Sequence, residues 1–403
     1  MSVYERSFKV KAELAEVAAF HAKAARSPAN ADYGLPSKVL RWARENFALC
    51  LLRLDDEPRR ARLQRLAQWT EDEFRARAGW FAERRSGGFI RECHGDLHLA
   101  NIVLIDEVPV PFDGIEFNPE LRFIDVASDI AFTFMDLIEH GLPRLAWRFV
   151  DRVLAESGDY GLLAGLRFYA VYRALVRAKV SLIRAHQPDA HPAERRKASA
   201  AFARDLALAE RLAVAPSPLL VAVGGLSGSG KTTVAGLLLE HVGAVRVRSD
   251  VERKRLAGLA AGARKAAAFG AGLYSPEMTV RTYARLHEVA AAVLDAGYPV
   301  IVDAALLRRA ERDALRELAA RQNVRFECIW CEAPPATLRA RIARRQARGA
   351  DASDATLAVL QRQRSFAEEP AAGERTLRFA TGMTRKRLDG EVALLAARLR
   401  RQP

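Results

Sequence analysis

Eight consecutive residues, Gly225-Leu226-Ser227-Gly228-Ser229-Gly230-Lys231-Thr232, combine flexible glycines, a lysine and a hydroxyl in one short turn. Such a set suits a row of phosphates. The glycines let backbone N–H groups converge on the anion, and the helix that opens behind them adds positive potential. Lys231 can reach β and γ oxygens, the Thr232 hydroxyl can ligate Mg²⁺, and Thr233 continues the helix start. The pattern is that of a Walker A motif, and ATP with Mg²⁺ is the expected ligand pair. A Gly-rich turn without a ligand needs neither the lysine nor the threonine in register.

Further polar residues fall at the ends of apolar runs. Asp250, in Arg248-Ser249-Asp250-Val-Glu-Arg253, can accept the proton of an acceptor hydroxyl as phosphoryl transfer begins, or can cap the helix that follows. Arg253, one helical turn on, suits an anionic group of the substrate. Asp303, closing Val300-Ile-Val-Asp303, fits the acid on the Mg²⁺ side or a substrate contact. No Glu follows it, which argues against a ring-forming motor. Arg339, Arg341, Arg344, Arg345 and Arg348 lie within 338–349, as an arginine-rich lid over phosphates or as a solvated face; Arg341 and Arg345, four apart, are the expected inward pair. Tyr274 and Tyr283 read as packing residues.

The elements that must position these groups alternate. Strands are expected at 219–223, 244–247, 299–302 and 324–330, with helices between them, one opening at the Ser275-Pro276-Glu277 cap. This pattern specifies an α/β fold, a parallel sheet with helices on both faces, over residues 219–403. Val214-Ala-Pro-Ser-Pro218 reads as a linker, and residues 1–213 as a mainly helical domain. Within it, helices are expected at 11–25, 61–78, from 124 to about 184, and at 190–212, with short strands between 89 and 113.

At 403 residues, with half of them hydrophobic, the chain fits two soluble globular domains. It contains no apolar run of the roughly 20 residues that span a bilayer, and its first ten lack the apolar core of a signal peptide. No membrane role and a cytoplasmic location are therefore expected. Four cysteines form no disulfide framework; Cys328 and Cys331 read as buried strand positions, since a redox pair needs a helix N-terminus and zinc needs a second ligand pair. The net charge of +14 suits phosphorylated or polyanionic partners, with arginine-rich helices otherwise read as solvated faces.

From Leu219 onward the chain resembles the P-loop kinases that include gluconate kinase, zeta-toxin and polynucleotide 5′-hydroxyl kinase. The resemblance rests on the Walker A residues and on the Asp250/Arg253 spacing, and implies a base and a substrate anchor at those two positions.

A second group of residues precedes the linker: Cys93-His94-Gly95-Asp96-Leu-His98-Leu-Ala-Asn101, then Val110-Pro-Phe-Asp113, then Asp129. It resembles the catalytic loop of aminoglycoside phosphotransferases and related kinase-fold enzymes. The resemblance implies that Asp96 orients an acceptor hydroxyl, Asn101 and Asp113 hold Mg²⁺, and Asp129 braces the loop backbone. Kinase-fold enzymes place a Gly-rich strand pair and a strand lysine before this loop. The residues before His94 contain no such pattern, and Ser7-Phe-Lys9-Val-Lys11 is too short to supply it. The phosphate-gripping lobe is expected to be absent, leaving a ligand-binding remnant, a late chain start, or a partner chain that supplies the lobe. The whole is similar to bacterial fusions of the two domain types.

The expected activity is transfer of the ATP γ-phosphate to the hydroxyl of a small molecule by the C-terminal half. A 5′-hydroxyl kinase on nucleic acid ranks second, since no stacking platform accompanies the basic charge. A nucleotide-gated regulatory module is the non-enzymatic rival.

Overall fold

Continuous apolar runs become strands buried on both faces, and those runs build the central sheet of the C-terminal unit. The structure is a computed structural model that describes residues 15–28, 30–106, 108–261, 263, 272–348 and 356–401. The start of the first expected helix, Ser7–Lys11 and Gly349 lie outside the described residues. Two compact units are formed, residues 1–150 with 161–215, and residues 151–160 with 216–403.

The first unit is mainly helical: α1 (Ala15–Lys23), α2 (Pro36–Arg53), α3 (Glu57–Ala76), α4 (Ala78–Ser86), α5 (Pro119–Arg122), α6 (Val126–Glu139), α7 (Pro143–Ser157), α8 (Leu163–Ala185) and α9 (Pro192–Ala213). The last residues of α7 count with the second unit. Two small antiparallel pairs interrupt the helices: β1 (Ile90–Glu92) with β4 (Phe123–Asp125), and β2 (Ile102–Ile105) with β3 (Val108–Pro111). The helix α6 is buried from Val126 to Leu137, so it is the core rod of the unit. Leu63, Leu66, Phe81, Phe168 and Tyr169 are also buried in the apolar interior of the unit.

One buried acid sits in this interior. Asp205 on α9 is 3 % exposed and accepts a 3.1 Å hydrogen bond from Ser181 Oγ on α8. Burial, and then the nearby Glu139 carboxylate, push its carboxyl up to about 6. A folded-state pKa above the unfolded value favours the neutral form, so its stabilising effect is complete below about pH 4 and is lost as pH rises through 6. Asp205→Asn keeps an acceptor for Ser181 without the charge. It is expected to raise Tm at pH 8, with a gain on the order of 2 kcal/mol, and to change Tm little at pH 4. Thermal melts of both proteins at the two pH values check this.

The second unit holds five parallel strands in the order β6-β7-β5-β8-β9: β5 (Leu219–Gly224), β6 (Val245–Arg248), β7 (Val300–Asp303), β8 (Arg325–Glu332) and β9 (Thr376–Ala380). Val221 pairs with Ile301 on one side and Glu327 on the other, so β5 is central. Every residue of β5 and β7 is buried. The crossovers are α10 (Lys231–Val242), α11 (Ser249–Leu256), α12 (Pro276–Asp295), α13 (Arg309–Arg321), α14 (Pro335–Arg348), α15 (Leu357–Phe366) and the closing α16 (Arg385–Arg401). Ser275 caps α12 through Met278 N. The chain moves from β5 to one side and later returns to the other, which places a topological switch point at the carboxyl end of β5. Cys328 and Cys331 are buried free thiols on β8. No helix among the described residues is long and apolar enough to cross a membrane.

Candidate active site

At the switch point β5 gives way directly to the glycine turn. Gly225 has φ 137° and a Cβ there would lie 2.5 Å from Cys331 O; Gly228 has φ 82° and a Cβ would meet Leu338 O at 2.7 Å. A side chain at Gly225 would push the turn off the end of β8, and one at Gly228 would push it off helix α14. Gly225 N donates to Ala305 O, Ser229 N to Leu226 O, and Ser227 N to the Gln363 side chain on α15. Leu226 packs against Leu338, Ile342 and Leu360. Val234 N to Gly230 O is the first helical bond, so the amides of Lys231, Thr232 and Thr233 form the open first turn. Arg246 on β6 steadies that turn by donating to Thr232 O at 3.2 Å, and is itself clasped by both oxygens of Asp151.

The turn opens into a cavity of about 510 Å³ that is open to solvent. Gly228, Gly230, Lys231, Thr232 and Thr233 form its floor, and arginines of α14 its wall. Arg341 donates to Gly228 O, Thr381 Oγ1 and Thr381 O, which fixes the helix beside the cradle. Burial, then Arg344, lower its pKa. Arg344 and Arg345 line the cavity too, as expected for positions three and four residues beyond Arg341 on one helical face. Arg339 is exposed, and the side chain of Arg348 lies outside the described residues. Met383 and Arg385, from the segment after β9, complete the rim.

Asp303 lies at the end of β7, beside the cradle. Its Oδ1 accepts from Thr232 Oγ1 at 3.3 Å, whereas its buried Oδ2 has no hydrogen-bond partner and Arg248 Nε stands 3.8 Å away. Burial lifts its carboxyl above the ordinary range although Arg248, Arg246 and Lys231 oppose this. A hydroxyl beside an orphaned carboxylate oxygen is a donor set that fits an oxygen-ligated cation such as Mg²⁺. Asp250 lies in the first turn of α11 and does not cap it; the N-cap position is Arg248, whose side chain makes no capping bond. Instead Asp250 accepts from Arg253 Nη1 at 3.3 Å, and the Arg253 guanidinium lies 4.9 Å from the Tyr274 ring centroid. Tyr283 packs inward, and its hydroxyl accepts from Leu306 N.

The loop of the first unit is braced as a separate structure. Asp129 on α6 accepts from His94 N and Gly95 N through different oxygens, and from the His21 ring at 3.0 Å. Burial pushes its carboxyl up, but the His21 bond and Arg173 outweigh that and hold it below the usual range. Asp129 Oδ2 is shared by His21 and His94 N, while His21 Nδ1 is buried with no hydrogen-bond partner. Asp96 is half-buried and pairs with His98 at 3.3 Å; that bond and Arg173 outweigh its burial and lower its pKa. Asn101 turns its amide onto the Asp96 carbonyl and carboxylate, while Asp113 is exposed at φ 60°.

A glycine turn between a buried central strand and a helix N-terminus, under an arginine wall at the switch point, defines a P-loop nucleotide-binding protein. Residues 220–370 match a family model described as an AAA domain. The glutamate of ring motors has no counterpart here, since Ala304 and Ala305 follow Asp303. Over 348 residues, covering 86% of this chain and 69% of theirs, the sequence is 31% identical to uncharacterized proteins of Mycobacterium tuberculosis and Mycobacterium bovis. The chain belongs to their family. Among solved structures, a gluconokinase from Sinorhizobium meliloti is 22% identical with TM-score 0.33, covering 46% of this chain and 94% of its own. The APS kinase of Mycobacterium tuberculosis, solved with AMPPNP and APS, is 23% identical with TM-score 0.34, covering 45% and 99%.

Proposed function

We propose that the protein is an ATP-dependent phosphotransferase that moves the γ-phosphate to the hydroxyl of a small molecule in its C-terminal domain, residues 219–403, joined by a linker at 214–218 to a domain of residues 1–213. The observation that carries this reading is the orphaned oxygen of Asp303 beside Thr232, next to a cradle walled by three arginines. Backbone amides of Gly228, Gly230, Lys231, Thr232 and Thr233 would hold the phosphates, while those of Gly225, Ser227 and Ser229 shape the turn, and Lys231 would reach β and γ oxygens. Thr232 and Asp303 would hold Mg²⁺, which when bound neutralises charge on the transferred group. Arg253 takes an anionic group of the acceptor and so frees Asp250. Asp250 then accepts the hydroxyl proton as the acceptor oxygen bonds to the γ-phosphorus and the bond to the β-bridging oxygen breaks, with ADP leaving. Arg341 and Arg345 stabilise the charge that spreads over the transferred group.

The kinase-like loop of the first domain supports a binding or presenting role for that half. Asp96 orients a hydroxyl there, and Asn101 and Asp113 complete the loop; transfer at that site would require a phosphate-gripping lobe from a partner chain. A 5′-hydroxyl of a nucleic acid is the second reading of the acceptor, favoured by the Asp250–Arg253 pair stacked on Tyr274. It calls for oligonucleotide binding that weakens steeply with salt.

Supplying γ-labelled ATP with a panel of hydroxyl metabolites and oligonucleotides tests the assignment. Label on an acceptor supports it. Slow hydrolysis without labelled acceptor, together with a nucleotide-dependent change in shape, would establish the regulatory reading in its place. Asp303→Asn is expected to raise the Mg²⁺ concentration for half-maximal ATP turnover at least about tenfold. An unchanged Mg²⁺ dependence with a raised acceptor KM would move Asp303 from the metal to the acceptor.

A further inference from the structure

Arg246 on β6 uses all three of its side-chain nitrogens inside the fold. Nε and Nη2 donate to the two oxygens of Asp151 at 3.1 and 2.7 Å, and Nη1 donates to Thr232 O at 3.2 Å. Asp151 lies on the stretch of α7 that counts with the second unit. The two side chains are 12 % and 10 % exposed, so this is a buried ion pair. Gly236, inside α10, keeps room for it, since a Cβ there would stand 3.2 Å from Arg246 Nη1. Glycine weakens a helix interior, and taking two charges out of water offsets most of their attraction. Stability alone therefore does not account for the arrangement.

Its neighbours suggest what does. Thr232, whose carbonyl Arg246 holds, gives its hydroxyl to Asp303 Oδ1 at 3.3 Å. Burial works against the Arg246 charge, and Asp151 first and Asp303 second sustain it. Asp303 is thus the next carboxylate in line for this guanidinium, and Arg248 already stands 3.8 Å from its Oδ2. A second cation acting on Asp303 without a counter-charge would compete with a metal ion for the same oxygens.

We propose that Asp151 is a positioning residue for the cation site: by matching the Arg246 charge it leaves the Asp303 carboxylate to Mg²⁺. The proposal rests on the reading of Thr232 and Asp303 as metal ligands, and it requires no contact of Asp151 with nucleotide or metal.

Calorimetric titration of the full chain with AMPPNP, across a series of Mg²⁺ concentrations and in EDTA, tests it without turnover. Asp151→Asn keeps the size of the side chain and removes its charge. It is expected to raise the Mg²⁺ concentration that half-maximally tightens AMPPNP at least about tenfold, with metal-free affinity unchanged. Asp151→Leu combined with Arg246→Met removes both charges, so no lone cation is buried, and its Mg²⁺ requirement should stay at the parent's level or below. A purely structural clasp predicts the reverse order, because the double variant also loses the bond to Thr232 O. A raised requirement in the double variant overturns the proposal, even if Asp151→Asn does not fold. So does a folded Asp151→Asn whose Mg²⁺ requirement is unchanged, or whose affinity falls equally with and without Mg²⁺. A parent whose AMPPNP affinity ignores Mg²⁺ would instead sink the metal reading of Thr232 and Asp303, and this proposal with it.

Discussion

Lys231→Ala is expected to lower ATP turnover about 10²- to 10³-fold, while Asp96→Ala leaves that turnover intact. The lysine stands at the first position of α10, on the floor of the arginine-walled cavity, where β and γ oxygens would lie. Removing one preorganised charge aimed at the transferred group costs about 3–4 kcal/mol of transition-state stabilisation, and each 1.36 kcal/mol is tenfold in rate. Asp96 belongs to the other unit and faces His98 and Asn101, with no cradle of glycine amides among the described residues around it. Steady-state ADP release by the two variants and the parent decides the division. The reverse pattern, with turnover lost in Asp96→Ala and kept in Lys231→Ala, would place the chemistry in the first unit and reject the reading of the second.

The parts of this site that adjoin one another in sequence were legible before any coordinates. Gly225 to Thr233 carry strand end, turn and helix start within a few residues, so composition alone fixes their geometry. Thr381, Met383 and Arg385 were not legible, because β9 escaped notice. Its sequence, Thr-Leu-Arg-Phe-Ala, is a half-exposed edge strand with a charge in the middle, and neither a continuous apolar run nor a clean alternation announces it. Arg344 shares a helical face with Arg341 at a spacing of three, which an expected inward pair at a spacing of four, Arg341 and Arg345, leaves out. The clasp of Arg246 by Asp151 joins residues 95 apart, and nothing local in either stretch implies the other. In the first unit Asp129 was found by resemblance, whereas His21 and Arg173, which complete the bracing of the loop, lie outside any motif. The general reading of arginine-rich helices as solvated faces needs correction at Arg312 of α13, which is 0 % exposed.

That arginine sets the largest expected change in stability. Arg312 Nε and Nη2 donate to the two oxygens of Glu374 at 2.7 and 3.0 Å, and Nη1 donates to Leu306 O at 2.9 Å. Glu374 is 5 % exposed and also accepts from Ala371 N. Glu374→Ala would leave a buried guanidinium without its counter-charge, a change that costs about 3–5 kcal/mol. The pair Arg312→Met with Glu374→Leu removes both charges together and should recover most of that loss. Bonding to Arg312 holds the Glu374 carboxyl below the usual range, so its stabilisation is complete above the ordinary glutamate pKa and fades as pH falls through the lowered folded value. Urea unfolding of parent, single and double variants at pH 7 and pH 3 should therefore show a wide gap that narrows in acid. Leu306, three residues beyond Asp303, has φ 51° and is held from both sides, by Arg312 at its carbonyl and by Tyr283 at its amide. Loss of Glu374 should thus reach the turn that aims Asp303 at the cradle, raising the Mg²⁺ requirement even at temperatures where the variant remains folded. A variant less stable by the expected amount but unchanged in its Mg²⁺ dependence would show that β7 alone fixes Asp303.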